Sequence, residues 1–410
     1  MVYLPAVFFG ICLLVSIRKY GWNIEAYLFM LYFLTGIASI LLDAQNLYNY
    51  NCPKIDFGFF APISYCFFLF LCIKPFGCVF RGDLIKRVSV KNERVIDFFI
   101  YFCFTVFLII AVVSFDRINE ILFNTALSEV RRDAYLGETV SFYDSYSGVF
   151  RYICAISTFF YPMTFLCIPL FFYNLIYRKK GIVFLIVTIL SSSAPLLSSI
   201  LQADRSQFLY WAIVFGFSFT LFQKQFTAKS FKKVFLIISP VIIGIIAYFI
   251  AVSVSRWGDD SSGDTILYMG MNYLNYCNFV NNLWDAPTSL CEIFPFSYYV
   301  LGLPRYFDFA KIVSDYSHLT IATFPTFMGL IFSISGPYIF ALYMLFYWLF
   351  TPQWLKRRNK DSITLMGIVK MWILVLVPLL GVFGYFYMEL NATFAIPFWL
   401  LLGYLSLRNT

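Results

Sequence analysis

Residues 95–115 read VIDFFIYFCFTVFLIIAVVSF, a run with a single charge, Asp97, near its start. About 20 consecutive apolar residues match the hydrocarbon thickness of a bilayer when helical, and a helix satisfies its own backbone N–H and C=O groups where no water can. The same reading carried outward along 410 residues finds apolar runs near 2–17, 23–42, 57–79, 152–176, 181–201, 206–222, 233–254, 323–350, 363–386 and 392–407. With 95–115 they make about eleven candidate spans. The composition agrees. A chain that is 61% hydrophobic, 22% aromatic and only 13% charged, with a mean hydropathy of +0.77, is not a water-soluble globule of this length. The expected fold is an all-α polytopic membrane protein in which residues 1–410 form one integral membrane domain.

Lys and Arg alternate between successive loops, and that bias sets orientation. One face carries Arg18 and Lys19, a cluster from Arg81 to Arg94, Arg178 to Lys180, Lys224 to Lys233, Lys356 to Lys360, and Arg408. This face is expected to be cytoplasmic, which puts the N-terminus outside and the C-terminus inside. The other face holds Lys54, the arginines of a first outer loop at 116–151, Arg205, and Arg256, Arg305 and Lys311 of a long polar stretch at 256–320 between spans eight and nine. The first run lacks a basic leader and a small-residue cleavage site, so it reads as a retained helix.

The net charge of +8 is then a cytoplasmic collar drawn to anionic lipid headgroups, and it carries no implication of nucleic acid. Most cysteines fall inside spans. Cys52, Cys277 and Cys291 are the ones expected to reach an outer compartment, and spacing leaves a Cys277–Cys291 disulfide open. With one histidine in the chain and no carboxylate cluster at helical spacing, no metal or other cofactor is expected.

Three places on the outer face can hold chemistry. In the 116–151 loop, adjacent Arg131 and Arg132 can present planar forks to a phosphate, or can pair locally with Glu129 and Asp133 on a surface helix. In the tight turn Gln202-Ala203-Asp204-Arg205-Ser206-Gln207, Arg205 sits at a helix start near headgroup level, where the helix dipole and unpaired N–H groups favour an anion. A helix-flanking Asp204–Arg205 pair is the plainer alternative. In the long loop, Thr265 to Trp284 mixes Tyr, Trp and Asn at helical spacing. Tyr273 and Trp284 there offer aromatic faces suited to sugar rings, or equally to anchoring an interfacial helix. The loop closes on Arg305, Asp308, Lys311, Asp315 and His318, the only side chain whose unperturbed pKa lies near neutrality. The next run, Phe324-Pro-Thr-Phe-Met-Gly-Leu-Ile-Phe-Ser-Ile-Ser-Gly-Pro-Tyr338, is broken by Gly and Pro, so a kinked or re-entrant start is expected.

This layout, with Asp204-Arg205-Ser206-Gln207-Phe208-Leu209 opening a helix and Phe324-Pro-Thr-Phe-Met-Gly-Leu-Ile-Phe before Ser-Gly-Pro-Tyr, resembles the Wzy-type O-antigen and capsule repeat-unit polymerases and the related O-antigen ligases. The resemblance implies a glycosyltransferase of the bacterial inner membrane that joins undecaprenyl-pyrophosphate-linked oligosaccharides at the periplasmic face. It implies no nucleotide-sugar cofactor, and it allows a chain-length regulator as a protein partner besides membrane lipids. Such chemistry needs cations at the pyrophosphate, a placed acceptor hydroxyl and an apolar cleft for the polyprenyl tails. On that basis Arg205 is expected at the pyrophosphate with Arg131 and Arg132 in reserve, and His318 on the acceptor side as base or orienter. Arg256, Arg305, Tyr273 and Trp284 join as substrate-binding candidates. A lipid-linked oligosaccharide flippase is the rival reading, with Glu25, Lys74, Asp97 and Lys370 as the charges that could line a route. A membrane acyltransferase would call for a histidine within a span, and none is present.

Overall fold

The computed structural model of the protein describes residues 1–49, 51–54, 57–79, 87–121, 147–201, 205–257, 261–291, 293–319, 321, 326–356 and 362–408. In chain order the main elements are α1 (Leu4–Tyr20), α2 (Ile24–Ala44), α3 (Phe60–Val79), β1 (Arg87–Ser89), α4 (Glu93–Val113), α5 (Phe115–Asn119), α6 (Gly148–Phe160), α7 (Cys167–Ile176), α8 (Ile182–Ser191), α9 (Ala194–Leu201), α10 (Ser206–Phe222) and α11 (Ala228–Trp257). There follow α12 (Ser261–Asn282), α13 (Ser297–Leu301), α14 (Tyr306–Ser317), α15 (Phe327–Trp354), β2 (Ser362–Thr364), α16 (Leu365–Leu380) and α17 (Leu390–Leu405). The fold is all-α apart from a parallel pairing of β1 with β2, three residues each.

Helical segments coincide with every apolar run, but the runs are not equivalent. Among the described residues six helical stretches are long and apolar enough to cross a membrane, or up to seven if α8 and α9, bent by 43°, form one span. The helices α1 and α10 have 17 residues, and α16 and α17 have 16. At 1.5 Å per residue these reach roughly 24–26 Å, short of a 30 Å hydrocarbon core.

Two compact units divide the chain. The first comprises Met1–Leu84, Ser262–Lys360 and Lys370–Phe394, and the second Ile85–Ser261, Asp361–Val369 and Ala395–Thr410. Within the first, α1 ends at Gly21, whose N–H donates to Ile17 O at 2.8 Å after the basic pair Arg18 and Lys19, and α2 begins where the Asn23 side chain accepts from Ala26 N–H at 2.9 Å. The buried Glu25 carboxylate accepts from Lys74 Nζ at 2.8 Å. Gly77 is required there. A Cβ on it would lie 1.9 Å from Glu25 Oε2.

The long polar stretch holds the largest departure from expectation. Residues 270–280 of α12 are all buried, with Asn272, Asn275 and Asn278 among them, so this is a core helix of the first unit. Its amides are partly satisfied by its own backbone: Asn272 Nδ2 donates to Tyr268 O and Met269 O, both at 3.3 Å. Ser39 Oγ donates to Gly270 O at 2.7 Å, and the Ser64 and Tyr276 hydroxyls are 2.9 Å apart, so α2 and α3 provide polar partners that no hydropathy reading shows.

The expected break in the ninth run is present. Gly336 leaves helical geometry at φ 76°, ψ 172°, ten residues into α15, and Pro337 restarts the helix. Phe327 to Gly336 are all buried, whereas the remainder of α15 exposes Tyr338, Leu342, Phe346 and Leu349. The break frees the Ile334 carbonyl, which accepts from Ser289 N–H at 2.7 Å. Broken backbone is thus tolerated where protein surrounds it.

In the second unit, Arg178 fastens α4. Its Nη2 donates to Asp97 Oδ2 at 2.9 Å and its Nε to Glu93 Oε2 at 3.0 Å, while Lys180 Nζ reaches Asp97 Oδ2 at 3.3 Å. The stretch Tyr161–Leu166 between α6 and α7 winds as a 3-10 turn, and Trp399 Nε1 donates to its Met163 O at 3.1 Å.

Candidate functional site

A cavity of about 250 Å³ within the first unit is lined by Cys291, Pro295, Tyr298, Tyr299, Pro304, Arg305, Met388, Glu389 and Leu390. Its walls come from two stretches separated by α15 and α16.

The first wall follows from its sequence, Ser297-Tyr-Tyr-Val-Leu-Gly-Leu-Pro-Arg305. Gly302 closes α13 in the left-handed region at φ 65°, where a residue with a side chain would be strained, and its N–H donates to Ser297 O. Pro304 stiffens the following turn, and Arg305 enters extended at φ −66°, ψ 157° as the residue that precedes α14. This places the Arg305 guanidinium 4.6 Å from the centre of the Tyr298 ring. A cation over an aromatic face is attracted by the ring quadrupole, which orders the long side chain.

The second wall is Met388-Glu389-Leu390. Glu389 follows the 3-10 turn Phe386–Met388, and its carbonyl accepts from Thr393 N–H at 3.1 Å, so it stands at the start of α17. Phe296 and Phe394 clamp the two walls, edge to face with ring centres 4.9 Å apart. The exposed side of Glu389 faces the cavity while protein crowds it elsewhere, and this burial pushes its carboxyl above the usual carboxylate range. Neither a hydrogen bond nor an ion pair holds its carboxylate among the described residues.

The arrangement suits a neutral polyhydroxylated ring. Arg305 can donate to hydroxyl oxygens, Glu389 can accept from hydroxyl hydrogens, and Tyr298 and Tyr299 offer both ring faces and phenolic hydroxyls. The volume lies below the roughly 300–1,000 Å³ of pockets that enclose a drug-sized ligand, which fits one sugar ring and not a whole oligosaccharide.

The residues expected from sequence are dispersed. Arg305 lines the cavity. His318 is exposed at the other end of α14, left-handed at φ 57°, with its N–H on Ser314 O at 2.8 Å. The 12 residues of α14 hold the two roughly 18 Å apart, so they do not share one small site. Tyr273 requires correction as a sugar-stacking residue. Its ring is fully buried, 5.0 Å from the Tyr65 ring and 6.1 Å from Phe57, and its hydroxyl donates to Met1 O at 3.1 Å. Trp284 is 46% exposed and packs on Phe60 and Phe332, outside the cavity lining.

Arg205 opens α10 as expected and is buried to 8% exposure in the second unit. Arg131, Arg132 and the Arg256 side chain lie outside the described residues. Cys277 is a free, buried thiol, so the Cys277–Cys291 disulfide left open by spacing is not formed. No group of three or more His, Cys, Asp or Glu among the described residues is placed to hold a metal ion.

Sequence reasoning passed over Glu389, Tyr298 and Tyr299. For Glu389 a signal existed: it is the only charged residue between Lys370 and Arg408, and a lone carboxylate between two apolar runs is costly without a role. Compared with family models, characterised proteins and solved structures, the chain matches none.

Proposed function

We propose that the chain is a membrane glycosyltransferase that polymerises lipid-pyrophosphate-linked oligosaccharide repeat units at the outer face of the bacterial inner membrane. The observation that carries this reading is the cavity in which Arg305, Glu389 and two tyrosines meet. The acceptor sugar binds there. Arg205 is the candidate for neutralising the leaving pyrophosphate, with Arg131 and Arg132 in reserve, and His318 is a candidate for orienting the acceptor chain beyond the cavity. Eleven spans, an outer N-terminus and a cytoplasmic C-terminus belong to the same reading.

The charges that a flippase would need along its route have local partners instead. Glu25 is paired with Lys74, Asp97 with Arg178 and Lys180, and Lys370 Nζ lies 4.9 Å from the centre of the Trp354 ring. Such charges brace helices, which favours transfer over transport.

Deleting the gene tests the reading. Surface glycan carrying a single repeat unit in place of a ladder is the expected result. Repeat units accumulating on the cytoplasmic side would overturn it in favour of a flippase.

A further inference from the structure

The cavity contains one feature that binding alone does not need. A sugar hydroxyl is held well by any amide or hydroxyl, yet the position beside Arg305 is a carboxyl group exposed on the cavity wall, and no hydrogen bond or ion pair holds that carboxylate among the described residues. A carboxylate that no protein donor occupies keeps its acceptor capacity for the hydroxyl of a ligand in the cavity. A pyrophosphate is a poor occupant, because the Glu389 charge would repel it across a space this small. An acceptor hydroxyl suits it, since the carboxylate accepts the very proton that the reaction must remove.

We propose that Glu389 is the catalytic base, with the acceptor's terminal sugar in the cavity and the reacting hydroxyl on the Glu389 carboxylate. This rests on the glycosyl-transfer reading above. The acceptor oxygen bonds to the anomeric carbon of the donor while the bond from that carbon to the pyrophosphate oxygen breaks. The electron pair leaves with the pyrophosphate, and the hydroxyl proton passes to Glu389 and then to water. Arg305 holds a neighbouring hydroxyl oxygen and is a binding residue.

Among the described residues, the titratable and charged groups that line the cavity with Glu389 are Arg305, Tyr298, Tyr299 and Cys291. Crowding by protein raises the Glu389 carboxyl above the usual carboxylate range, which makes its carboxylate a stronger proton acceptor. Placing this proton acceptor here separates the roles of Glu389 and His318, which the length of α14 keeps apart from Arg305.

The test uses purified full-length protein and lipid-linked repeat units extracted from cells lacking the gene, with polymer formation followed between about pH 4 and pH 8. The expected wild-type rate falls at low pH through one ionisation above the usual carboxylate range. Glu389→Gln should lower turnover by about a hundredfold or more while its thermal melt shows a folded protein. Glu389→Asp should keep part of the rate with its acid limb displaced. A Glu389→Gln rate equal to wild type overturns the proposal, as does a slow variant whose acid limb is unchanged, because another group then titrates. Wild-type protein that makes no polymer sinks the glycosyl-transfer reading and this proposal with it. Failure confined to the variants sinks the proposal alone.

Discussion

Arg305 and Glu389 stand before two different helices, α14 and α17, yet face one cavity, and no ion pair among the described residues joins them. Opposite charges that share a small space without neutralising each other keep their hydrogen-bonding capacity for a third party. Holding them so requires a rigid frame, and Gly302, Pro304 and the Phe296–Phe394 clamp provide it.

The cost of that arrangement predicts a stability difference with a definite sign. Glu389 has a folded-state pKa raised above its unfolded value by burial, so its contribution is fully favourable below the unfolded value and is lost as pH rises through the folded one. Glu389→Gln should therefore melt at a higher temperature than wild type near neutral pH, and the gain should vanish below about pH 4. Thermal unfolding in detergent at several pH values reads this directly. A gain that is the same at every pH would show that ionisation is not its source.

Tyr273 is expected to serve the fold and not the substrate. Tyr273→Phe removes the hydroxyl's bond to Met1 O and its contact with Cys277, the former worth about 0.5–1.5 kcal/mol, and should keep full activity with a slightly lower melting temperature. Tyr273→Ala should cost about 3–5 kcal/mol through the cavity it leaves and should reduce the folded yield. A well-folded Tyr273→Phe with lost activity would return Tyr273 to the site.

Gly336 should resist substitution. Alanine at φ 76° is strained by about 1–2 kcal/mol, and its Cβ would lie 2.8 Å from Thr288 Cγ2, beside the Ser289 N–H that caps Ile334. Gly336→Ala should lower the melting temperature by several degrees, whereas Gly244→Ala, with open space around it, should not lower it comparably.

Leu301, 64% exposed beside the cavity, reports sidedness. In a background without Cys52, Cys277 and Cys291, Leu301→Cys should react with an impermeant thiol reagent in intact spheroplasts. Reaction only after lysis would place the cavity in the cytoplasm and end its proposed role.

Much of this was legible in the sequence, for identifiable reasons. Apolar length marks a helix in lipid because nothing else satisfies the backbone there, so runs such as 95–115 fell on helices. The Ser335-Gly336-Pro337 break was equally plain, since Gly permits the positive φ and Pro needs no N–H partner. What misled was α12. Its Asn and Tyr side chains read as surface groups, yet Ser64 meets the Tyr276 hydroxyl and the helix's own carbonyls accept from Asn272, while Ser39 holds the Gly270 carbonyl. Pairing Arg305 with Glu389 was beyond reach because their proximity depends on how α15 and α16 return the chain, and periodicity carries no such information. The isolated charge of Glu389 was the part of the site that could have been read.

The central claim is that the Arg305 cavity holds the sugar that accepts the growing chain, and Arg305→Ala tests it most directly. The measurement is the surface glycan ladder of cells that lack the native gene and produce the variant at matched protein level. Loss of one charge-assisted contact that strengthens in the transition state removes about 2–4 kcal/mol, a hundredfold or more in rate. The ladder should therefore collapse toward the single repeat unit, with Arg305→Lys restoring only part because a point charge lacks the planar fork. A ladder of normal length and intensity from Arg305→Ala would contradict the account.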